Sequence, residues 1–539
     1  MEYLKVKGER LKVKGITFLS LLVIAGSAFA LPARRDGMIR TAEDGTEKMV
    51  FLHGDAFFHY MTDAEGNWLD ETTLQPLSEE VKAARKQVGE KRQQARRVQQ
   101  QKKIGTEPNI APRGLLIMVN FTDKEFVTPY DTINEMLNGE NFVRKYNYDY
   151  YYYGQHVAGT ISCSGSARKY FQDQSYGQYN PVFDVVGPYT LAHETSYYGK
   201  NDSWGNDKRP DEMIKEACML ADADGADFKL YDNDNDGNVD FVYVLYAGEG
   251  EADGGASSTV WPHNYDLSYT MTCIVDGKQV CNYACSNEWQ HFGQVYNGIG
   301  TFCHEFSHVM GLPDLYITQE GPSHHTMCDW DILDYGPYNN DGNTPPAYSA
   351  YERFFCGWLT PRVLTEPENT RLAPLNNGNG EALLMCEGDS HNLVGYDPNP
   401  KTFYLLENRV RTGWDKYLPG RGMLITKIQY NQSKWENNTV NNTANSMGVD
   451  IIEAKANTGD MGASTDAYPA GATEYLGFTG HEISDIVNKG QYVTFKYRGG
   501  WPEAIEEIEN GKTATKRIED GKVVIIRDGQ KFDILGNRL

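Results

Sequence analysis

The chain has 539 residues, a formal net charge of −23 and nine cysteines. This length predicts three or four domains rather than a single core. The large negative charge argues against a nucleic-acid partner, because such partners are bound by basic surfaces. Lysine and arginine are instead concentrated near the N-terminus and in residues 80–103, and the rest of the chain is acidic.

The first thirty residues carry an export pattern. The apolar run Ile16–Ala30 follows a stretch rich in Lys and Arg and ends in Ala28-Phe29-Ala30, a small-x-small cleavage signal. This predicts a signal peptide over residues 1–30 and a secreted or cell-surface protein. The alternative is an uncleaved anchor, but a run of about 15 apolar residues is shorter than the roughly 20 that span a bilayer.

Residues 31–111 are predicted to form a removable pro-region. Met49–Tyr60 and Asp63–Trp68 have the pattern of strands joined by a tight turn. Residues 79–103 are rich in Glu, Lys, Arg and Gln, which favours an exposed helix or a disordered connector. A connector crowded with basic residues is easily cut, so we expect cleavage there to end a latent state. Either His53 or Asp55 is a candidate temporary metal ligand in that state, and an ordinary turn role is the alternative.

Residues 112–365 show strand and helix patterns in turn and are predicted to form an α+β domain. The apolar run Gly114–Phe121 predicts a buried strand. Helices are predicted near Ser166, from Asp211 to Ala223, and after Pro345. In the second of these helices, the residues expected on or near the buried face are Met213, Ala217, Met219 and Leu220.

The cysteines permit disulfides in an exported chain, although an odd number leaves at least one unpaired. Cys273 and Cys281 lie symmetrically about Asp276-Gly277-Lys278. A hairpin with a three-residue loop would place these two cysteines opposite each other.

A calcium site is predicted in the acidic segment 232–240. Carboxylates at alternate positions of a loop converge on a hard cation, and a backbone carbonyl and a further carboxylate complete the set. Tyr243 stands where an EF-hand needs glutamate, so the segment is a calcium loop that leads into a strand. An acidic surface turn is the alternative. The predicted ligands are Asp232, Asp234, Asp236, Asn238 and Asp240.

The most informative motif is His-Glu-x-x-His-x-x-Gly-x-x-Asp. On a helix, His304 and His308 share a face and can bind one ion, with Glu305 beside them as a base. Gly311 can adopt the left-handed conformation that ends a helix, so the chain can turn and bring Asp314 back as a third ligand. Three protein ligands leave a fourth position for water, as in a catalytic zinc site.

This motif resembles the zinc signature of the immune inhibitor A-type peptidases, secreted bacterial relatives of the metzincins. The resemblance covers residues 112–365 and implies a metzincin-like zinc peptidase domain. Leu333 stands where metzincin-like enzymes carry the methionine of the turn beneath the zinc. Tyr335 matches a position from which some relatives bring a phenol to the metal or the oxyanion, and a buried aromatic role is the alternative.

The remaining residues are predicted to be β-rich. Short alternating runs such as Thr402–Arg409 and Gly422–Ile428 predict a β-sandwich-like domain over residues 366–499. Residues 500–539 are predicted to form a compact β-tail around a strand bracketed by two Asp-Gly pairs. The tail resembles C-terminal sorting signals of Bacteroidetes, which implies the outer-membrane secretion machinery as a partner.

The chain is therefore predicted to be a monomeric zinc endopeptidase, made as a zymogen, that binds Zn²⁺ and Ca²⁺ and acts on protein or peptide substrates. In this prediction a zinc-activated water attacks the peptide bond and Glu305 is the general base. The alternative is a non-catalytic surface adhesin or carbohydrate-binding protein with a structural zinc. A scaffold of that kind would not need Glu305.

Overall fold

The computed structural model describes residues 32–539 except 36, 43, 55–57, 101–110, 153–154, 204, 268–269, 291–294, 320–323, 377, 379, 457–461, 502–514, 520–521, 528 and 534–537. The predicted signal peptide and Asp55 lie outside the described residues. Within the described part of the chain, none of the helices has the length and apolar character needed to cross a bilayer.

The N-terminal part is a four-stranded antiparallel sheet followed by a long helix. The strands pair in chain order, and the rings of Tyr60 and Trp68 stack with their centroids 3.8 Å apart. The predicted strands and turn are confirmed, and the basic segment is helical. The elements are β1 (Met38–Thr41), β2 (Glu47–Gly54), β3 (His59–Thr62), β4 (Trp68–Leu69) and α1 (Glu79–Gln100).

The central part of the chain mixes helices and strands, as predicted. Its elements are β5 (Arg113–Asn120), α2 (Tyr130–Asn138), β6 (Val143–Tyr152), β7 (Gln155–Ser164), α3 (Ala167–Gln174), β8 (Val182–Thr190), α4 (Thr195–Gly199), α5 (Pro210–Ala223), β9 (Asn238–Val239), β10 (Val242–Glu249), β11 (His263–Asp266), β12 (Ile274–Val275), β13 (Lys278–Val280), β14 (Asn282–Trp289), α6 (Gly300–Val309) and α7 (Ala350–Phe355).

A five-stranded sheet organises this part, in the order β11-β14-β10-β5-β8 and parallel except for β11. Strand β5 is buried on both faces, as its continuous apolar run predicts. Leu116 and Met118 pack into a core with α6, whereas Leu115 and Ile117 pack into a second core with α5. The sheet thus holds α6 against one face, which fixes the helix that carries the His-Glu-x-x-His motif.

The buried face of α5 differs from the prediction in one residue. Met213 and Ala217 are buried as expected, but Met219 is 56% exposed. The buried face instead continues through Ile214, Cys218 and Ala221. These positions recur at spacings of three and four, as the helix period requires, and Met219 falls outside that stripe.

The next part is made almost entirely of strands. Its elements are β15 (Arg362–Val363), β16 (Glu368–Leu372), β17 (Ala382–Cys386), β18 (Thr402–Arg409), β19 (Gly422–Gln429), α8 (Gln432–Glu436), β20 (Val449–Ile451), β21 (Ile483–Asn488) and β22 (Val493–Tyr497). They form one five-stranded sheet, β15-β17-β18-β19-β20, and one three-stranded sheet, β16-β22-β21.

These two sheets pack face to face, and the larger one also packs against the central part of the chain. Leu383 and Met385 of β17 share a core with Phe495 of β22. Leu384 and Cys386, which alternate with them, join the core that contains α6. The five-stranded sheet is therefore covered on both faces, and the loops at its ends lie beside the motif helix.

The described residues of the C-terminal tail form a three-stranded antiparallel sheet. It consists of β23 (Thr515–Glu519), β24 (Lys522–Arg527) and β25 (Gln530–Phe532). Strand β24 is the one predicted between the two Asp-Gly pairs.

The predicted pairing of Cys273 with Cys281 is wrong. The hairpin has a two-residue loop, since Val275 pairs with Lys278. That register places Val280, whose backbone N–H donates to the carbonyl of Cys273, opposite Cys273. Cys281 is displaced by one residue, and side chains one residue apart on a strand point to opposite faces. Neither residue takes part in a disulfide bond.

We predict that Ile117→Ala in β5 destabilises the protein by about 2–5 kcal/mol, because it leaves a cavity in a fully buried strand. Urea-induced unfolding measures the change. The matched control is Ile274→Ala, whose side chain is 63% exposed and which should shift stability by no more than about 0.5 kcal/mol. Equal effects of the two substitutions would contradict the assignment of β5 to the core.

Candidate metal centre

Helix α6 is held rigidly because nearly all its residues are buried. Phe302 and Phe306 pack against Phe183 from β8, with ring centroids 4.8 and 5.0 Å away. At the start of the helix, a Cβ on Gly300 would lie 2.1 Å from the carbonyl oxygen of Pro337, so only glycine fits there. These contacts leave the histidine-bearing face of the helix in a fixed position.

The helix ends as its sequence predicts. Gly311 has φ +82° and donates its backbone N–H to the carbonyl of His308 at 3.0 Å. This left-handed residue turns the chain, and Asp314 follows three residues later with its side chain fully buried. The turn brings the carboxylate back to the two histidines of the helix.

Three ligand-type atoms converge at this point. The Nε2 atoms of His304 and His308 are 3.3 Å apart, and each lies 3.2 Å from Oδ1 of Asp314. Tetrahedral ligands at zinc–nitrogen and zinc–oxygen distances lie about 3.3 Å from one another. The triangle of His304, His308 and Asp314 therefore has the size that one zinc ion requires. The side chains of His304, Glu305 and His308 also lie close enough to one another to hold a metal ion.

The hydrogen bonds of the two rings fix which nitrogen faces the triangle. His304 donates its Nδ1–H to the carbonyl of Ile332 at 2.7 Å, and His308 donates its Nδ1–H to the carbonyl of Leu312 at 2.8 Å. When both rings are neutral, their Nε2 atoms present lone pairs toward each other and toward a carboxylate oxygen, and positive charge shared between them, from a proton or a metal ion, removes the repulsion. The donor set therefore fits a metal ion.

Asp314 is held by a residue from the C-terminal half of the chain. Asn438, in the loop after α8, donates its Nδ2–H to Asp314 Oδ2 at 2.6 Å and accepts from the Asp314 backbone N–H at 2.7 Å. Asn441 and Asn442 bind the same segment through Leu315 and Thr318. The sequence contained no signal for this contact, because Asn438 lies 124 residues beyond Asp314.

Charge and burial act in opposite directions on Asp314. Burial by itself would raise its pKa, but His308 and His304 outweigh burial and hold the pKa well below its usual range. The carboxylate is therefore ionised, as a ligand must be.

Glu305 lies beside the triangle with its carboxylate buried. Neither Oε1 nor Oε2 has a hydrogen-bond partner among the described residues. A buried carboxylate without partners is costly, so such a group is retained where chemistry uses it. It is available to accept a proton from a molecule that enters the site.

The loop from Cys328 to Tyr335 forms the floor of the site. The carbonyl of Ile332 orients His304, and the carbonyl of Leu333 accepts the backbone N–H of Leu315 at 2.7 Å. Leu333 itself is fully buried in the core that contains α6. Leu333 thus adds apolar packing to the core that supports α6.

Tyr335 lies near Tyr316, which in turn lies near His304. Its ring centroid is 6.4 Å from that of Tyr316, which is 6.5 Å from the ring of His304. The guanidinium of Arg35 covers the Tyr335 ring at 3.0 Å from its centroid. Neither Tyr316 nor Arg35 was predicted from the sequence to lie here.

His53 lies in the N-terminal sheet, where its Nε2 contacts the hydroxyl of Thr62 at 2.8 Å and its ring stacks on Tyr60. Burial lowers the pKa of His53 to about 4. Its contacts within the described part of the chain involve none of the metal-site residues.

The acidic segment forms a second cluster. Asp232, Asp234 and Asp236 bring oxygens close enough to hold an ion. Lys278 makes an ion pair with Asp232 at 2.5 Å. Asp240 is turned toward the loop backbone, where it accepts the N–H of Asn233 at 2.7 Å. The Asn238 side chain donates to Asp236 at 3.0 Å.

A His-Glu-x-x-His helix with a buried third carboxylate and a carboxylate base is the active-site arrangement of a metallopeptidase. Residues 100–358, just under half of the chain, match the family model described as Immune inhibitor A peptidase M6, catalytic domain. Over these residues the chain is similar to the immune inhibitor A-type metallopeptidase family.

Two kinds of relative support this assignment. Pre-pro-metalloprotease PrtV of Vibrio cholerae serotype O1 is 25% identical over 260 residues, which is 44% of this chain and 25% of the relative. Immune inhibitor A of Bacillus thuringiensis subsp. alesti is 24% identical over 214 residues, 35% of this chain and 31% of the relative. The matches thus span between a quarter and a third of these relatives.

We predict that Asn438→Ala weakens zinc binding by about 10–100-fold, because Asp314 loses both hydrogen bonds that orient it. Competition with a chromophoric chelator measures the affinity. The matched control is Asn437→Ala, since the Asn437 side chain donates to Ser433 within α8 and this substitution should leave affinity unchanged. Parent-like affinity of Asn438→Ala would contradict a role for Asn438 in placing the ligand.

Proposed function

We propose that this chain is a zinc-dependent endopeptidase that hydrolyses peptide bonds in proteins or peptides. The observation that carries the proposal is the triangle of His304, His308 and Asp314, with its edges of 3.2–3.3 Å, beside the unpartnered carboxylate of Glu305. The family assignment supports a metallopeptidase, and the residues present fit zinc as the metal.

The two imidazoles and the carboxylate of the triangle would hold Zn²⁺. Zinc bound there would supply a Lewis acid that lowers the pKa of water and polarises the scissile carbonyl. Glu305 takes a proton from the attacking water and later gives it to the leaving amine. Glu305 is buried, so bulk water does not screen its electrostatic interaction with the attacking water or with the leaving amine.

Tyr335 is proposed to stabilise the oxyanion by donating its phenol O–H. A positioned donor of this kind contributes most when it is held before the reaction begins. The Tyr335 side chain is half-buried, and desolvation raises the pKa of its phenol, so the O–H keeps its proton at neutral pH. Arg35 covers the ring in the intact chain, which is consistent with a latent form.

A zymogen is supported by the position of the segment Pro32–Arg35. The carbonyl of Pro32 accepts a hydrogen bond from the phenol O–H of Tyr338. The guanidinium of Arg35 lies over the ring of Tyr335, which precedes Tyr338 by three residues. The Vibrio relative is itself named a pre-pro-metalloprotease. We propose that residues 31–111 keep the enzyme latent until the basic connector is cut.

The proposed organisation of the chain follows the sequence boundaries. A signal peptide (1–30) and pro-region (31–111) precede a metzincin-like catalytic domain (112–365), a β-sandwich-like domain (366–499) and a β-tail (500–539). The protein would be a secreted or cell-surface monomer, with the tail addressed to the outer-membrane secretion machinery. The adhesin alternative is not favoured, because the family match and the relatives are peptidases.

Calcium is proposed as a stabilising ion at Asp232, Asp234 and Asp236, with Asn238 and Asp240 as further ligands. The loop leads directly into β10, which runs through the middle of the main sheet. Lys278 neutralises Asp232 in the structure, so calcium would have to displace that ammonium group. The ion would then tie the loop to the sheet.

We predict that Glu305→Gln lowers turnover by about 10²–10⁴-fold, because the amide cannot accept the proton. Cleavage of casein by the activated protein measures turnover, and zinc is counted by atomic absorption. The variant should retain one zinc per chain, and exposed Glu387→Gln should keep parent activity. Near-parent activity of Glu305→Gln would refute the assignment of the base.

We predict that calcium raises the melting temperature of the calcium-free, zinc-loaded protein. At a calcium concentration of one hundred times its dissociation constant, the added stability is about 2.7 kcal/mol. EGTA should reverse this shift and leave zinc bound. Asp234→Ala should abolish the shift, whereas Asp222→Ala, an exposed change on α5, should preserve it. The same melting temperature with and without calcium would contradict the proposal that calcium stabilises this loop.

A further inference from the structure

The proposed pro-region and the central part of the chain share one apolar core. Ala252 and Trp261, which belong to the central part, cluster there with Leu52, Leu69 and other buried residues of the N-terminal sheet. The ring of His59 stacks on the ring of Trp261 with centroids 4.1 Å apart. Trp261 is fully buried, so removal of the pro-region would expose its apolar surface to water. We call this contact the pro-region interface.

The pro-region interface does not depend on an unbroken connector. A cut between residues 101 and 110 breaks one peptide bond and leaves the shared core in place. The buried apolar surface still favours a bound pro-region, and the segment from Pro32 to Arg35 then stays against Tyr335 and Tyr338. Release of the pro-region is thus a separate step from cutting the connector.

Two glutamates with little exposed surface meet at the edge of this interface. Glu71 comes from the pro-region and Glu251 from the central part, and their side chains are 12% and 2% exposed. Nδ2 of Asn201 donates to Oε2 of Glu71 at 2.8 Å and to Oε1 of Glu251 at 3.1 Å. Both carboxylates therefore lie within hydrogen-bond reach of one nitrogen atom. Two negative charges so close together repel, and a proton on either one removes the repulsion.

The groups around the glutamate pair carry an excess of negative charge. Nη1 of Arg85 lies 3.3 Å from Oε1 of Glu71, and Nε2 of His59 lies 3.8 Å from Oε2 of Glu251. The other charged groups here are Arg40, Asp207 and Glu249. With the histidine neutral, four carboxylates thus face two guanidinium groups. A proton taken up by Glu251 or His59 reduces this imbalance.

Water does not screen these charges effectively, because a loop of the central part packs closely over them. A Cβ at Gly205 would lie 2.8 Å from Nη1 of Arg85 and 2.9 Å from Oε1 of Glu71. Burial, with the charges of Glu71 and Asp207, raises the pKa of Glu251 well above its ordinary value. Once the pro-region has left, the charge of Glu71 is gone and water reaches Glu251, so its pKa falls back toward that value.

We propose that the pro-region interface is proton-dependent: after the connector is cut, the pro-region stays bound as a separate inhibitory chain at acidic pH and dissociates as the pH rises. This inference rests on the proposed zymogen function and adds a condition for release. The bound form holds a proton that the released form gives up, so low pH favours binding. Protonation of His59 beside ionised Glu251 acts in the same direction. The contribution is lost as the pH rises above about 4.5, the ordinary pKa of glutamate, toward the raised pKa of Glu251.

The test uses the full chain with the recognition sequence of a site-specific protease placed within residues 101–110. After this protease has cut the chain, size-exclusion chromatography of a dilution series measures how tightly the pro-region is bound at each pH from about 5 to 8. We expect the dissociation constant to rise with pH, by up to about tenfold per pH unit where one proton is released. A dissociation constant that is the same across this range would overturn the inference.

Glu251→Gln tests which group carries the proton, because the amide has the shape of the protonated acid and no charge at any pH. The dissociation constant of this variant should lose its pH dependence and lie at least about tenfold below the parent value at pH 8. Glu71→Gln removes the same repulsion from the pro-region side and should act alike, which guards against a folding defect in one variant. The control is Glu125→Gln, an exposed change in the central part that should keep the parent behaviour. Parent-like pH dependence in both Glu251→Gln and Glu71→Gln would overturn the inference.

Casein cleavage at pH 8 separates this inference from the proposed function. The cut parent chain, which has released its pro-region, should cleave casein at least about tenfold faster than the cut Glu251→Gln chain, which retains it. Equal activity of the two, with the same dissociation constant, would overturn the proton-dependent interface and leave the peptidase function intact. No cleavage by the parent chain after its pro-region has dissociated would instead overturn the peptidase function and leave the measured pH dependence of binding in support of the interface.

Discussion

The structure around the metal centre depends on one electrostatic constraint, the approach of three electron-rich atoms to within 3.2–3.3 Å of one another. Two of them come from one turn of α6, so their spacing is set by the helix. The third reaches them only because Gly311 ends the helix in a left-handed conformation. Asn438 then fixes the Asp314 carboxylate from the far side. A shared cation relieves the repulsion that this geometry would otherwise produce.

The same constraint explains why the β-rich part after residue 365 matters to the site. Its five-stranded sheet is buried on both faces, with Leu383 and Leu384 of one strand facing different cores. The loop after α8 is therefore carried on a rigid support, and Asn438 is held where it can bond Asp314. If Asp314 is the third ligand, as proposed, its contact with Asn438 links the integrity of that distant part of the chain to metal binding.

The sequence predicts local features well because they depend on neighbouring residues. The buried strand at 113–120 follows from a continuous apolar run, and the end of α6 follows from Gly311. Contacts between residues far apart in the chain produce no comparable pattern in the sequence. Nothing near Asn438 distinguishes it from the other asparagines of its loop, and nothing near Arg35 indicates that it covers Tyr335. The cysteine hairpin shows a similar limit, because one residue of loop length reverses which side chains face each other.

Zinc-edge X-ray absorption spectroscopy of the full-length protein tests the central claim most directly, because it reports the atoms bound to the metal. We expect two imidazole nitrogens and oxygen donors at about 2.0–2.2 Å from the metal, supplied by His304, His308, Asp314 and water. Cys303 and Cys328 lie in the helix and in the floor loop, so sulfur is the informative alternative. A sulfur shell near about 2.3 Å, or a spectrum unchanged by His304→Ala, would contradict the account.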